Sequence, residues 1–286
     1  MKLRRVNSAL LRRWPLPRFS SNDSKEDRGR VLILGGTVSV PGAALLAAVA
    51  SLRVGAGKLQ VATSRQVALQ LAIAVPEAKV LGLPADERGD IARLGTEVLR
   101  AAGQADAVLA GPGMDPTTPT LRIASALMRR AKAVVLDAGA IGACMSARAG
   151  QLVLTPHVGE MAGMIDVDAG EVAANAIDIA RAFAKASGAT LVLKGADTVI
   201  AHADGDVWLH SGGCVGLGTS GSGDVLAGLI AGLLAQGTPP DQAAVWGVAL
   251  HAKAGEALAG EIGGIGFLAR EISGRVPAIM QALGPR

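Results

Sequence analysis

Five times along this chain a short aliphatic run stops abruptly at small or polar residues. Val31–Leu34 ends at Gly35-Gly36, Ala107–Ala110 at Gly111-Pro112-Gly113, and Ala133–Asp137 runs into Ala138-Gly139. Leu152–Leu154 meets Thr155-Pro156-His157, and Thr190–Lys194 meets Gly195. Runs this short and this uniformly aliphatic suit strands buried on both faces of a parallel sheet. Between and after them lie helical stretches at Pro41–Val54, Pro119–Ala131, Val172–Ser187, Val225–Gln236 and Asp241–Leu258. Strands that alternate with helices of this length build βαβ units, so the fold class is three-layer α/β/α with a mostly parallel central sheet. A further strand is read at Lys58–Thr63, and a hairpin from Thr198–His202 to Val207–His210 turns at Ala203–Gly205. Ligands of open α/β sheets bind beyond the carboxyl ends of the strands. Five such ends are therefore expected to converge on one crevice.

Composition agrees. Half of the 286 residues are hydrophobic, only 2% are aromatic and tyrosine is absent, so the core must be packed from Ala, Val, Leu and Ile. The longest apolar stretches, Ala43–Val54 and Val225–Ala235, are about a dozen residues each, whereas a membrane span needs about twenty. No membrane partner and no secretory signal are read. Cys144 and Cys214 are far apart without metal-ligand spacing, which points to a reducing cytoplasm. The net charge of +4 is concentrated at the start, in Lys2, Arg4, Arg5, Arg12, Arg13 and Arg18. Residues 1–29 are read as a basic, solvated N-terminal arm ahead of one domain spanning 30–286. Contact with an anionic substrate or another subunit, and an organelle transit peptide, are the other readings of that arm. No basic patch interleaved with aromatics follows, so no nucleic-acid partner is expected.

The chemistry concentrates at Gly218-Thr219-Ser220-Gly221-Ser222-Gly223-Asp224, followed directly by the aliphatic helix. Small residues let backbone approach a ligand, and a helix start offers unpaired N–H groups to an anion. Asp224 falls at the first helical turn, where the helix dipole favours its ionised form and it can accept a proton from a hydroxyl. An N-capping aspartate behind a flexible loop is the plainer alternative. Gly57-Lys58 is followed by Leu59, and Leu52 stands where a P-loop needs glycine. No strand runs into a dinucleotide-type G-x-G-x-x-G turn. Lys194 at a strand end can place its charge near phosphate oxygens. Pro156 biases Thr155 to an extended backbone and stiffens the turn carrying His157. A buried Asp137 needs a partner. His202, His210 and His251 have no supporting neighbours and receive no role.

Pro41-Gly42-Ala43-Ala44, Arg53–Gly57, Gly111–Gly113, Thr155–Glu160, Lys194–Thr198 and Thr219–Asp224, in this order, resemble the ADP-dependent NAD(P)H-hydrate dehydratases, from about Arg30 to Leu268. The resemblance implies a ribokinase-like fold and repair of NADH or NADPH whose nicotinamide ring has been hydrated. ADP is the implied co-substrate, converted to AMP and phosphate, with Mg2+ present. It assigns Ala43, Gly113, His157 and Asp224 to the hydrated nucleotide, with Asp224 catalytic. Lys194, Gly195, Ala196, Asp197, Thr198 and Gly223 fall to the adenine nucleotide, joined by Gly221 and Ser222 as loop backbone; no residue is assigned to metal. The implied partners are hydrated NADH or NADPH and ADP, with epimerisation expected from a separate enzyme. A homo-oligomer, up to a tetramer, is also expected. Three segments depart from the commoner pattern: Thr219–Asp224 reads Thr-Ser-Gly-Ser-Gly-Asp for Thr-Gly-Gly-Thr-Gly-Asp, with Ser220 in place of glycine, Leu217-Gly218 stands for Met-Ala, and Gly139 for a second aspartate. A small-molecule kinase of the same fold, acting on a vitamin alcohol, is the alternative, and a non-catalytic nucleotide sensor is a third reading.

Overall fold

The computed structural model describes residues 3–145 and 151–283; Lys2 of the basic arm lies outside them. Ten strands form one sheet: β1 (Leu3–Arg5), β2 (Arg30–Leu34), β3 (Lys58–Ser64), β4 (Ala78–Leu83), β5 (Ala107–Ala110), β6 (Ala133–Leu136), β7 (Gln151–Leu154), β8 (Thr190–Leu193), β9 (Thr198–Ala201) and β10 (Val207–His210). Their order across the sheet is β1-β10-β9-β8-β7-β6-β5-β2-β3-β4. Only β9 runs antiparallel to both its neighbours, β8 and β10; every other pairing is parallel.

Alternate residues of each strand feed two separate cores, as the two-residue period of a strand requires. Val31, Ile33, Leu109, Val135, Val153, Val192, Ile200 and Trp208 pack toward α2 (Pro41–Arg53), α9 (Ser222–Ala235), α10 (Pro240–Glu261) and α11 (Ala269–Leu283). Leu32, Leu34, Val108, Val134, Leu136, Leu154, Leu191 and Leu193 pack toward the other layer. That layer holds α4 (Thr96–Gln104), α5 (Thr118–Met128), α6 (Val158–Ile165) and α8 (Ala176–Ser187). The three-layer α/β/α class read from the sequence is the one observed.

α9 is the helix that positions the site. It is apolar on every side and lies over β5 and β6, sandwiched by α2 and α10. Its closest approach to α2 is through Gly228 and Gly232, whose Cα atoms face the backbones of Ala47 and Ser51. A methyl group on Gly228 would run into the Ala47 carbonyl oxygen. Gly228→Ala is therefore expected to lower stability by about 1–3 kcal/mol, because overpacking outweighs the helix propensity that alanine adds. Thermal unfolding checks this, and a melting temperature equal to or above the parent's would show that α9 can move away from α2 freely.

Several elements differ from expectation. Val172–Ser187 is two helices, α7 (Ala169–Ala174) and α8, broken at Asn175. The edge strand β4, with only two buried residues, the short α3 (Ala68–Ala74), and α4, α6 and α11 were not anticipated. The solvated arm is the main correction. Leu3–Arg5 adds a parallel strand to β10, and the helix α1 (Ser8–Arg13) buries Leu11 completely. Trp14 stacks on Trp208 at 5.7 Å between ring centroids. The Trp14 carbonyl accepts from Trp246 Nε1 at 2.7 Å and from Gln242 Nε2 at 3.0 Å. The physical reason is the outer edge of β10, whose backbone donors and acceptors need a partner. Arg12, Arg13 and Arg18 do remain in solvent, while Arg4 pairs with Asp206 at 2.9 Å.

Among the described residues, no helix is long and apolar enough to cross a membrane. Cys144 and Cys214 are free thiols, and burial pushes Cys144 up to about 11.

Candidate active site

The five strand ends stand side by side, because β2, β5, β6, β7 and β8 are consecutive neighbours in the sheet. Contacts run along this edge from end to end. The Gly36 N–H donates to the Pro112 carbonyl at 2.8 Å, and the Cα of Gly111 abuts the Asp137 carbonyl. Asp137, 3% exposed, accepts on Oδ1 from Thr155 Oγ1 at 2.7 Å and from Lys194 Nζ at 3.3 Å. The Lys194 N–H donates to the Pro156 carbonyl at 2.8 Å, and His157 forms a parallel bridge with Lys194. The partner that a buried Asp137 requires is thus Lys194, with the Thr155 hydroxyl beside it.

The glycine loop delivers α9 to the middle of this edge. Gly221 takes a left-handed backbone at φ 87°, and its Cα faces Leu46 so closely that no side chain fits there. Among the described residues no side chain caps the helix, so the first-turn N–H groups of Gly223 and Asp224 meet no side-chain acceptor there. The Ser222 N–H is engaged by the Thr219 carbonyl at 3.2 Å, which removes it from the set of donors expected for an anion. Lys194 Nζ lies against the Cα of Gly223, so an ammonium and a bare helix start face the same space.

Asp224 is pushed up to about 7, first by burial and second by the charge of Asp137; Lys194 pulls the other way. The helix dipole was expected to favour ionisation, but desolvation and a neighbouring carboxylate outweigh it. The result is a carboxyl group that can exchange a proton near neutral pH.

A cavity of about 840 Å³ opens on the α9/α10 side of the sheet. Lys194–Thr198 form one wall, Gly212–Val215 with Leu217–Thr219 another, and Ser222, Gly223, Val248 and His251 the floor; His157 stands at its rim. Ala43 and Gly113 are not part of it. They meet each other at the far end of the edge, where Gly113 (φ 65°) sits against the Val40 carbonyl and the Ala43 methyl. The expected site residues therefore separate into two groups, Ala43 and Gly113 on one side and Lys194–Thr198 with Ser222 and Gly223 on the other. Asp224 follows directly on Gly223, and the charges that act on it are those of Asp137 and Lys194.

His157 caps α6. Its Nδ1 accepts from the Glu160 N–H at 3.1 Å, while Glu160 Oε2 accepts from the His157 N–H at 2.7 Å. This reciprocal box commits Nδ1 as an acceptor and leaves Nε2 to carry the proton of the neutral ring and donate outward.

His251, assigned no role in sequence, belongs to the site. Its Nε2 lies 2.9 Å from Ser222 Oγ and 3.0 Å from the Ser222 carbonyl, and burial holds the ring neutral by lowering it to about 4. It ties α10 to the first turn of α9. No local signal could have shown this, since the pair is 29 residues apart and only helix packing joins them.

Among the described residues, no group of three or more His, Cys, Asp or Glu could hold a metal ion unaided.

The sequence family described as NAD(P)H-hydrate dehydratase matches residues 31–278. An ADP-dependent (S)-NAD(P)H-hydrate dehydratase of Xanthomonas campestris pv. campestris is 51% identical over 99% of this chain and 98% of its own length. A bifunctional NAD(P)H-hydrate repair enzyme of Moorella thermoacetica is 36% identical over 98% of this chain, which spans 54% of that longer protein. The ADP/ATP-dependent NAD(P)H-hydrate dehydratase from Bacillus subtilis, co-crystallized with ATP and Mg2+, superposes with a TM-score of 0.87 at 30% identity, covering 99% of both chains. Ribokinase-like proteins share the same arrangement of strands and helices. With most of its length matched by one family and half its residues identical to a full-length relative, the chain belongs to the NAD(P)H-hydrate dehydratase family.

Proposed function

We propose that this protein is an ADP-dependent NAD(P)H-hydrate dehydratase that restores NADH and NADPH from their hydrated forms, releasing AMP and phosphate. The observation that carries the reading is Asp224, a carboxylate raised to about 7 at an uncapped helix start, with Lys194 and a large cavity on one side. Lys194–Thr198 and Gly223 hold ADP in that cavity, and Lys194 and the Gly223 N–H offset negative charge on its β-phosphate. The hydrated nicotinamide lies toward Ala43 and Gly113, with His157 Nε2 donating to it from the rim.

Hydroxide is a poor leaving group, and the chemistry must improve it. The ring hydroxyl oxygen attacks the β-phosphorus, its bond to phosphorus forms, and the bond from that phosphorus to AMP breaks. Asp224 takes the hydroxyl proton. The ring nitrogen's lone pair then expels phosphate, and loss of a ring proton completes the double bond of the dihydronicotinamide. Magnesium, bound with the nucleotide, supplies charge neutralisation on the phosphates. The protein works in the cytoplasm as a homo-oligomer; exposed Leu69, Ile73 and Ile265 support self-association.

Incubation with hydrated NADH, ADP and Mg2+ tests the reading by the recovery of dihydronicotinamide absorbance and the release of AMP in equal amounts. An intact hydrate together with phosphorylation of a vitamin alcohol would make the protein a kinase instead, and nucleotide binding without turnover would make it a sensor.

A further inference from the structure

Among the described residues the His251 ring bonds to Ser222 alone, and Ser222 is the first residue of α9. Packing of the two helices brings them together. Gly247 of α10 lies directly against the Ile230 side chain, and His251 stands one turn further along α10 on the same face. Because α10 runs back along α9, that step leads toward Ser222, about two turns before Ile230. Ring Nε2 lies 2.9 Å from Ser222 Oγ and 3.0 Å from the Ser222 carbonyl oxygen. A carbonyl oxygen only accepts, so Nε2 carries the ring proton and shares it between the two oxygens. Burial keeps the ring neutral, with the charges of Lys194 and His210 acting the same way and the bond to the Ser222 backbone opposing them.

The start of α9 has little else to hold it. Gly221, in the capping position, has no side chain, and no other side chain caps the helix among the described residues. Gly218, Gly221 and Gly223 give up more backbone freedom on ordering than other residue types would. A helix end without a cap frays. Yet the Gly223 and Asp224 N–H groups and the Asp224 carboxyl all lie within two residues of Ser222. α10, by contrast, is a 22-residue helix whose middle is buried from Gln242 to Leu250, so a tether fixed on it moves little.

We infer that His251 is a positioning residue for the reaction: from the neighbouring helix it replaces the missing cap of α9, and so holds the Gly223 and Asp224 donors and the Asp224 carboxyl in place for the phosphoryl group. It acts through Ser222 and does not touch the reacting atoms. The inference deepens the dehydratase reading and rests on it for the reaction, while the anion site can be probed separately with inorganic pyrophosphate. Without the tether, water gains access to the first turn of α9. Asp224 is raised first by removal from water and second by Asp137, and Lys194 lowers it. Hydration favours the charged form, so the group should then titrate below about 7.

The test compares the parent with His251→Leu and His251→Gln by calorimetric titration with inorganic pyrophosphate, by kinetics on hydrated NADH and ADP across pH, and by thermal unfolding. Leucine fills the space without a donor, whereas the glutamine amide nitrogen reaches about as far as Nε2. The leucine variant should bind pyrophosphate about threefold to tenfold more weakly. Its kcat should fall by about tenfold to a hundredfold, the worth of a displaced catalytic geometry. Its KM for hydrated NADH should not change, since Ala43, Gly113 and His157 are untouched, and the acid limb of its kcat profile should move to lower pH. Glutamine should recover most of each loss. A leucine variant with parent-like pyrophosphate affinity and acid limb would overturn the inference even if it melts lower, because His251 would then serve packing alone. A glutamine variant no better than leucine would overturn it too. If leucine prevents folding, His251→Asn, whose shorter amide does not reach Ser222, takes its place against glutamine. Absence of hydrate turnover in the parent would strike the dehydratase reading, and the pyrophosphate titration would still decide the role of His251.

Discussion

Asp224→Asn is expected to cut turnover of the hydrated nucleotide by about a hundredfold to ten-thousandfold, the usual worth of a positioned general base, while ADP binding survives. Asparagine preserves the shape of the side chain and the helix start around it, but it cannot take the hydroxyl proton. The same substitution should make the protein more stable. Asp224 normally titrates near 3.8 and is raised to about 7 in the fold. Between those values the folded chain holds a proton that the unfolded chain has released, so stability falls as pH rises through the window and the full cost is present above it. The cost is on the order of 2–4 kcal/mol, and the asparagine variant escapes it. His251 works in the opposite direction. Lowered from 6.5 to about 4, it makes stability rise with pH across that interval. The parent should therefore show a shallow profile between about pH 4 and 7, and Asp224→Asn a clear rise. Denaturant unfolding from pH 4 to 8 reads both slopes. Parallel profiles, or a variant with near-normal turnover, would remove Asp224 from the base role.

Lys194→Met is expected to do the greater structural damage. Asp137 is buried, and among the described residues its only charged partner at hydrogen-bond distance is Lys194; Thr155 supplies a neutral hydroxyl. Removing one member of a buried pair leaves the other charge uncompensated, which costs about 3–5 kcal/mol. The ammonium also lies against Gly223 and lowers Asp224. Its loss therefore raises the pKa of the base further and strips positive charge from the place assigned to the β-phosphate. Activity should fall below detection near neutral pH. Lys194→Met combined with Asp137→Leu, which removes both charges, should regain most of the lost stability without regaining activity. A double variant no more stable than the single one would show that the pair is not the source of the cost. Full activity in the single variant would refute the placement of ADP beside Lys194.

Much of the architecture was legible because a strand buried on both faces has to be aliphatic along its whole length. Val31–Leu34, Ala107–Ala110 and Leu152–Leu154 are of this kind, and each was recognised within a residue of its observed limits. β4 escaped because an edge strand is half exposed and blurs into its surroundings. The N-terminal arm misled for a related reason. Its arginines stay in solvent and dominate the composition, while the groups that dock it are one leucine, one tryptophan and a strip of backbone.

The candidate site divides along the same line. Strand ends rich in Gly, Pro, Asp, Thr and Lys announce backbone-built loops, and a carboxylate after a glycine run announces proton chemistry at a helix start; both are local in the chain. What Asp224 can do at neutral pH is not local. Its proton affinity depends on removal from water at the start of α9 and on a carboxylate 87 residues away, Asp137, brought near by the order of the strands. His251 acquires meaning in the same way, from the packing of α10 on α9. Sequence alone determined which segments are strands, where the chain turns and which residues carry reactive groups, because those follow from side-chain period and backbone freedom. Tertiary structure decided which charges face each other and how far they are removed from water, because electrostatic energy depends on distance and dielectric and not on position along the chain.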